Sequence, residues 1–200
     1  MDKICRTRIT LGITLLISFA SILHVDVAYA NEDVWTKLVE GGKVVLMRHS
    51  SISKGRGFGN SLVRDPSCKA ERNLSSEGEA EARAVGERFK QRNIPIAEVR
   101  SSPYCRAADT AKIAFGNVTP VDYLSLREVL SPEEAAAQTG KLNQAIGSYV
   151  GKGNLILVTH EPNIGAVSFE TLGHSDLLVL QPKGGDKFDE IGVVTFKENK

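Results

Sequence analysis

Leu155-Ile156-Leu157-Val158-Thr159-His160 is an unbroken apolar run that ends on a histidine. Continuous rather than alternating apolar residues describe a strand buried on both faces, the kind found in parallel sheets. An earlier stretch repeats the arrangement: Val44-Val45-Leu46-Met47 runs into Arg48-His49. In open α/β sheets ligands bind beyond the carboxyl ends of the strands, so both imidazoles belong to one rim. A third segment, Ser101-Ser102-Pro103-Tyr104-Cys105-Arg106, leaves the strand candidate Val99–Ser101 and enters a helix. It brings Arg106 to the same rim, along with helix N-terminal N–H groups that favour anions.

The elements outward from these stretches alternate. Val34–Glu40 reads as a short helix stopped by Gly41-Gly42, and Ser50–Cys68 as a loop. Ser76 with Glu79 makes a capping box for a helix to about Arg92, with Ala82, Val85, Gly86 and Phe89 facing inward. A helix from about Tyr104 to Phe115 and a strand over Val118–Leu124 follow. Ser131, Pro132 and Glu134 supply an N-cap, a proline at the first position and a capping-box carboxylate. That helix turns Ala135, Leu142, Ile146 and Tyr149 inward and ends at Gly151 and Gly153. Asn163–Leu172 is expected to be helical. Leu177–Leu180 and Ile191–Phe196 are expected as strands joined through Gly184-Gly185. The pattern predicts a single-domain α/β layered sandwich, a mostly parallel central sheet with helices on both faces.

The first thirty residues are expected to lie outside this fold. Lys3, Arg6 and Arg8 precede a charge-free stretch from Ile9 to Leu23, and Ala28-Tyr29-Ala30 follows. A positive start, an apolar centre and an A-x-A site describe a secretory signal peptide, with export to the periplasm. The alternative, an uncleaved anchor, is disfavoured because the apolar run falls short of the roughly 20 residues a span needs. Removing residues 1–30 from the 200 leaves a domain of 170 residues, 31–200, with no membrane span. Its charge is balanced, since the whole chain has 25 Lys+Arg against 24 Asp+Glu and the leader takes three basic and two acidic residues. Nucleic-acid binding normally calls for a basic excess, which is lacking here. Cys68 and Cys105 remain, an even pair in an oxidising compartment, expected as a disulfide or, failing that, as two buried thiols.

Two arginines and two histidines on one rim describe a pocket for a compact dianion. Guanidinium forks match phosphate oxygens in a bidentate way, and a neutral histidine can act as a nucleophile. Of the three histidines after the leader, His49, His160 and His174, two sit at these strand ends.

Four blocks, in order, resemble the histidine phosphatase (phosphoglycerate mutase-like) superfamily. Leu46-Met47-Arg48-His49 is similar to its Arg-His signature. Leu74-Ser75-Ser76-Glu77-Gly78 is similar to its helix start, Ser101-Ser102-Pro103 with Arg106 and Thr110-Ala111 to its second block, and Val158-Thr159-His160-Glu161-Pro162-Asn163 to its third. The resemblance implies a phosphatase that uses no cofactor and no metal. It implies that His49 is the nucleophile, that Arg48, Arg106 and His160 bind the phosphoryl group, and that a carboxylic acid protonates the leaving oxygen. Glu128, in Leu126-Arg127-Glu128, fits the position of that acid in the mutase-like branch. Glu161 resembles its position in the acid-phosphatase branch, and Glu128 is preferred. Small size and export make the chain most similar to the branch that includes the lipopolysaccharide core heptose phosphatase. The implied substrate is a small phosphorylated molecule, an envelope sugar phosphate.

Ser50 stands where the family usually has Gly. Lys54, Arg56 and Arg64 lie in the following loop and offer contacts for a second anionic group. A competing function is non-catalytic binding of phosphate or a phospho-sugar, which needs the arginines and no nucleophile. A metal hydrolase is disfavoured, because the histidines show no His-x-His or HExxH spacing. Oligomeric state is not legible in the sequence.

Overall fold

The computed structural model describes residues 23–55 and 57–196, with side chains from Glu32 onward. Six strands form one sheet: β1 (Val44–Arg48), β2 (Ile96–Ser101), β3 (Thr119–Pro120), β4 (Asn154–Thr159), β5 (Leu177–Gly184) and β6 (Lys187–Val194). Their order across the sheet is β3-β2-β4-β1-β5-β6. The four on the β3 side run parallel, and β5 and β6 are antiparallel additions at the other edge. The α/β class and the mostly parallel sheet are as the sequence implies.

The central strands are apolar throughout because both faces are covered. Val45, Met47, Ile156, Val158, Leu177 and Val179 face one layer, with side chains of α1 (Leu23–Glu40), α2 (Ser76–Gln91) and α3 (Cys105–Phe115). Alternate residues Val44, Leu46, Leu155, Leu157, Leu178 and Leu180 face the other, with Leu142 and Ile146 of α4 (Pro132–Gly147). The two-residue period of a strand thus divides one continuous run between two cores. Gly86 shows how tightly the first layer is built. A Cβ there would lie 2.1 Å from the Ala114 carbonyl oxygen, so α2 and α3 approach closely only with glycine at this position.

Several boundaries differ from the sequence reading. α1 begins at Leu23 rather than Val34, and its buried anchors Val34, Trp35 and Leu38 all lie beyond Ala30. Residues 1–22 of the expected signal peptide lie outside the described residues. The cap of α2 is Ser75, not Ser76. The Ser75 side chain accepts from the Gly78 N–H, and Gly78 has no side chain to complete a box. The full capping box expected at Ser131 and Glu134 is present.

Val118–Leu124 is not one strand. Only Thr119–Pro120 pairs with the sheet, and Asp122–Leu124 forms a 3-10 turn. Asn163–Leu172 is not a helix either. A four-residue α5 (Glu161–Ile164) ends at Gly165 and irregular chain follows. Among the described residues no helix is long and apolar enough to cross a membrane.

Candidate active site

The sheet register delivers the site. β1 and β4 are parallel neighbours with Arg48 opposite Thr159, so His49 and His160 leave the sheet side by side. Their ring centroids are 5.3 Å apart. Ser101 pairs with Val158, so the chain after β2 reaches the same edge and turns into α3, which carries Arg106 in its first turn. The Arg106 guanidinium is 2% exposed and lies between the two imidazoles. Its Nε donates to His49 Nε2 at 3.2 Å and its Nη2 to His160 Nδ1 at 3.2 Å.

These contacts fix the tautomers. A guanidinium can only donate, so both histidine nitrogens that face it carry lone pairs. His49 holds its proton on Nδ1 and donates it to the Ser50 carbonyl at 2.9 Å. His160 holds its proton on Nε2, 2.7 Å from Ser102 Oγ. Electrostatics favour the same neutral state. Burial pushes the His49 pKa well below its ordinary value, and Arg106, His174 and Arg48 push it further, against the Ser50 hydrogen bond. Burial does the same to His160, reinforced by His49 and the two arginines.

Arg48 is held by its Nη1, which donates to the Leu172 carbonyl at 2.6 Å. Burial lowers its pKa while the charges of Glu161 and Asp176 oppose that shift. Arg48 Nε and Arg106 Nη1 are buried without a protein partner. Unpaired buried guanidinium donors are costly. Two of them beside a pair of neutral imidazoles make a cradle for an oxyanion.

The loop after His49 is pinned from three sides. Ser50 N–H donates to Thr110 Oγ1 of α3 at 3.0 Å, and Ser50 Oγ meets Ser175 Oγ at 2.7 Å. Ser51 N–H and Oγ both donate to the Glu81 carboxylate of α2, each at 2.8 Å. Gly78 lets α2 come this close, since a Cβ there would lie 1.9 Å from the Ser51 carbonyl oxygen. Ser50, the departure from the usual glycine, is wholly buried and acts as a structural tie.

Arg48, His49, Arg106 and His160 line a pocket of about 170 Å³. Both carboxylic acid candidates line it too: exposed Glu128, from the 3-10 turn Arg127–Val129, and half-buried Glu161, the first residue of α5. Arg48, His49, Arg106, His160 and both acid candidates therefore lie at one pocket. The loop cations fare differently. Arg64 is bound to Glu71 at 3.2 Å, Lys54 is exposed and does not line the pocket, and Arg56 lies outside the described residues. The Cys68–Cys105 disulfide is formed.

His174 is the pocket residue that sequence reasoning missed. It lines the pocket, with its ring 5.2 Å from that of His49. Its Nδ1–H donates to the His49 carbonyl at 3.0 Å. The available signal was Gly173-His174-Ser175-Asp176 directly ahead of Leu177–Leu180. The start of an antiparallel strand shares a rim with the ends of its parallel neighbours, so His174 becomes legible once the direction of β5 is known. Among the described residues no group of three or more His, Cys, Asp and Glu side chains is arranged to hold a metal ion.

A family model described as the histidine phosphatase superfamily (branch 1) matches residues 44–131. Solved structures share the fold. A putative phosphohistidine phosphatase SixA from Agrobacterium tumefaciens is 18% identical, over 78% of this chain and 99% of that one, with a TM-score of 0.52. A protein histidine phosphatase SixA complexed with tungstate is 16% identical, over 76% and 96%, with a TM-score of 0.54. A mycobacterial glucosyl-3-phosphoglycerate phosphatase is 16% identical, over 75% and 97%, with a TM-score of 0.52. A search of curated proteins finds no match. The family match opens on the strand that carries Arg48 and His49 and runs through Arg106 to Glu128, and β4 adds His160 at the same rim. Residues 44–131 thus match the histidine phosphatase superfamily, and the chain shares the fold of solved histidine phosphatases.

Proposed function

We propose that the protein is an exported phosphomonoesterase that works through a phosphohistidine on His49, with an envelope sugar phosphate as its substrate. The observation that carries the chemistry is the orientation of His49. Its Nδ1 proton is committed to the Ser50 carbonyl, so its Nε2 lone pair is turned to the pocket, where the Arg106 Nε–H donates to it until substrate takes its place. A protein that only bound phosphate would need the arginines but no nucleophile fixed in this tautomer.

In the first half-reaction Nε2 attacks phosphorus, the ester P–O bond breaks, and the leaving oxygen takes a proton from Glu128. The Ser50 carbonyl stabilises the positive charge that forms on the ring. Arg48 Nε and Arg106 Nη1 meet the phosphoryl oxygens, whose charge peaks in the transition state. In the second half-reaction water attacks the phosphohistidine, Glu128 accepts its proton, and inorganic phosphate leaves. Glu161 stands in the field of Arg48, where its charge favours the charged guanidinium.

Export is supported by the charged, apolar and A-x-A pattern of residues 1–30 and by a disulfide of the kind that persists in oxidising compartments. The envelope sugar phosphate rests on size and export.

Turnover of p-nitrophenyl phosphate by the purified protein, with acid-labile, base-stable phosphate on the chain after quenching, tests the mechanism. His49→Ala should cut turnover at least about a thousandfold, since nothing else in the pocket replaces the nucleophile. Tight phosphate binding without turnover would favour the binding protein instead. Fractionation of the producing cell tests the location, and a panel of sugar phosphates tests the substrate.

A further inference from the structure

Glu71 is a fully buried carboxylate that the mechanism above does not use. It is 2% exposed and comes from the irregular segment between β1 and α2. Its Oε2 accepts from the Cys105 N–H at 2.8 Å, at the start of α3. Its Oε1 accepts from the Asp65 N–H at 2.9 Å and from Arg64 Nη1 at 3.2 Å. We infer that Glu71 is a positioning residue: with the Cys68–Cys105 disulfide it clamps the 60–71 loop onto the first turn of α3 and so sets Arg106 between His49 and His160.

This rests on the reading of Arg106 as a phosphoryl-binding group. Three ties from the loop converge on the two residues before Arg106. They are the Glu71 bond to the Cys105 N–H, the disulfide on the same cysteine, and Tyr104 Oη donating to the Leu62 carbonyl at 3.1 Å. Leu62 itself lines the pocket, so the clamp fixes a wall and an arginine together. The loop end of the clamp is ordered by its own bonds. Asn60 bridges to Glu71, Asn60 N–H donates to the Ala70 carbonyl at 2.9 Å, and Asp65 accepts from the Ala70 N–H at 2.9 Å.

Charge points the same way. Among the described residues no carboxylate makes an ion pair with Arg106, although its guanidinium is buried. Burying a cation without a nearby anion is costly. Burial lowers the Arg106 pKa, and Glu71 is the first charge that opposes the fall. Glu71 binds the backbone of α3 and not the guanidinium, so it supports the charge while Nη1 stays available to a substrate oxygen.

The test compares oxidised wild type, Glu71→Gln and Glu71→Asp in tungstate affinity, kcat and KM, with circular dichroism as the check on folding. Removing a negative charge behind Arg106 would by itself tighten oxyanion binding. Positioning predicts the opposite. Glu71→Gln should bind tungstate about tenfold more weakly and lose about 10- to 100-fold in kcat, and Glu71→Asp should recover most of both. Folded Glu71→Gln with unchanged or tighter tungstate binding overturns the inference.

Should Glu71→Gln fail to fold, Arg64→Gln removes the outer partner of the same carboxylate at a partly exposed position. It should weaken tungstate several-fold, and reduction of the wild-type disulfide should do the same while the fold persists. No change in either overturns the inference. Wild type that binds tungstate but turns over no phosphomonoester refutes the phosphatase mechanism and leaves the affinity comparison readable.

Discussion

In the mechanism proposed above, His49 draws its reactivity from the carbonyl of the residue after it. One hydrogen bond of 2.9 Å selects the tautomer and burial keeps the ring neutral, so the proposed nucleophile needs no base to activate it. The acid that completes the reaction can be assigned by leaving-group dependence. Glu128 reaches the pocket from the 3-10 turn Arg127–Val129, whereas the charge of Glu161 acts on Arg48. A sugar alkoxide needs a proton as the P–O bond breaks, while p-nitrophenolate hardly does. Glu128→Gln should therefore lose about 10²–10⁴-fold with a sugar phosphate and far less with p-nitrophenyl phosphate. Glu161→Gln should affect both substrates mildly and alike. The reverse pattern in steady-state rates would transfer the role to Glu161. At this scale most of the pocket was legible, because Arg48, His49 and His160 lie at the ends of apolar strands that announce themselves by composition, and Arg106 follows the Ser101-Ser102-Pro103 segment. His174 and Glu71 were not. One depends on the direction of an antiparallel strand, and the other on a loop whose fold is set by contacts to α3.

Elements defined by local chemistry were readable, and those defined by distant partners were not. Ser131, Pro132 and Glu134 form their cap within four residues, so α4 starts where the sequence says. Asn163 instead spends its side chain on the carbonyls of Leu124 and Ser125 and on the Arg127 N–H. Those bonds seat the turn that carries Glu128, and the helix expected over Asn163–Leu172 stops at Ile164. Val118–Leu124 has strand composition. Yet the Leu124 carbonyl is claimed by Thr159 Oγ1 as well as Asn163, and the chain leaves the sheet after Pro120. Gly86 gives a prediction at this scale. Alanine in place of glycine within a helix ordinarily gains about 1 kcal/mol from propensity. Here the added Cβ would lie 2.1 Å from the backbone of α3, which must move, and overpacking typically costs about 1–3 kcal/mol. The second effect wins: Gly86→Ala should lower the urea midpoint and, because α3 carries Arg106, raise KM. A more stable variant with unchanged KM would show that the two helices separate freely.

For the whole molecule, two neutral histidines buried at the sheet rim tie stability to pH. Their folded pKa values lie well below the ordinary value, which the unfolded chain keeps near 6.5. Below about pH 6.5 the unfolded chain therefore takes up protons that the folded one refuses. Stability rises with pH wherever the unfolded state binds more protons. Each histidine's contribution is thus complete above about 6.5 and is lost as pH falls toward its folded pKa, by up to about 1.4 kcal/mol per pH unit. Asp65, whose pKa is lowered to about 2 chiefly by the Ala70 N–H bond and then by Ser67, acts in the same direction. Its window opens only below about 4, clear of the histidines. Urea midpoints measured from pH 7.5 down to 5 should stay level to about 6.5 and then fall. His49→Ala removes one of the two titrating groups, so it should roughly halve the slope between pH 6.5 and 5, whatever its effect at pH 7.5. A midpoint that stays flat across that interval would mean that the imidazoles take up protons within the folded site, and the neutral nucleophile would have to be abandoned with it.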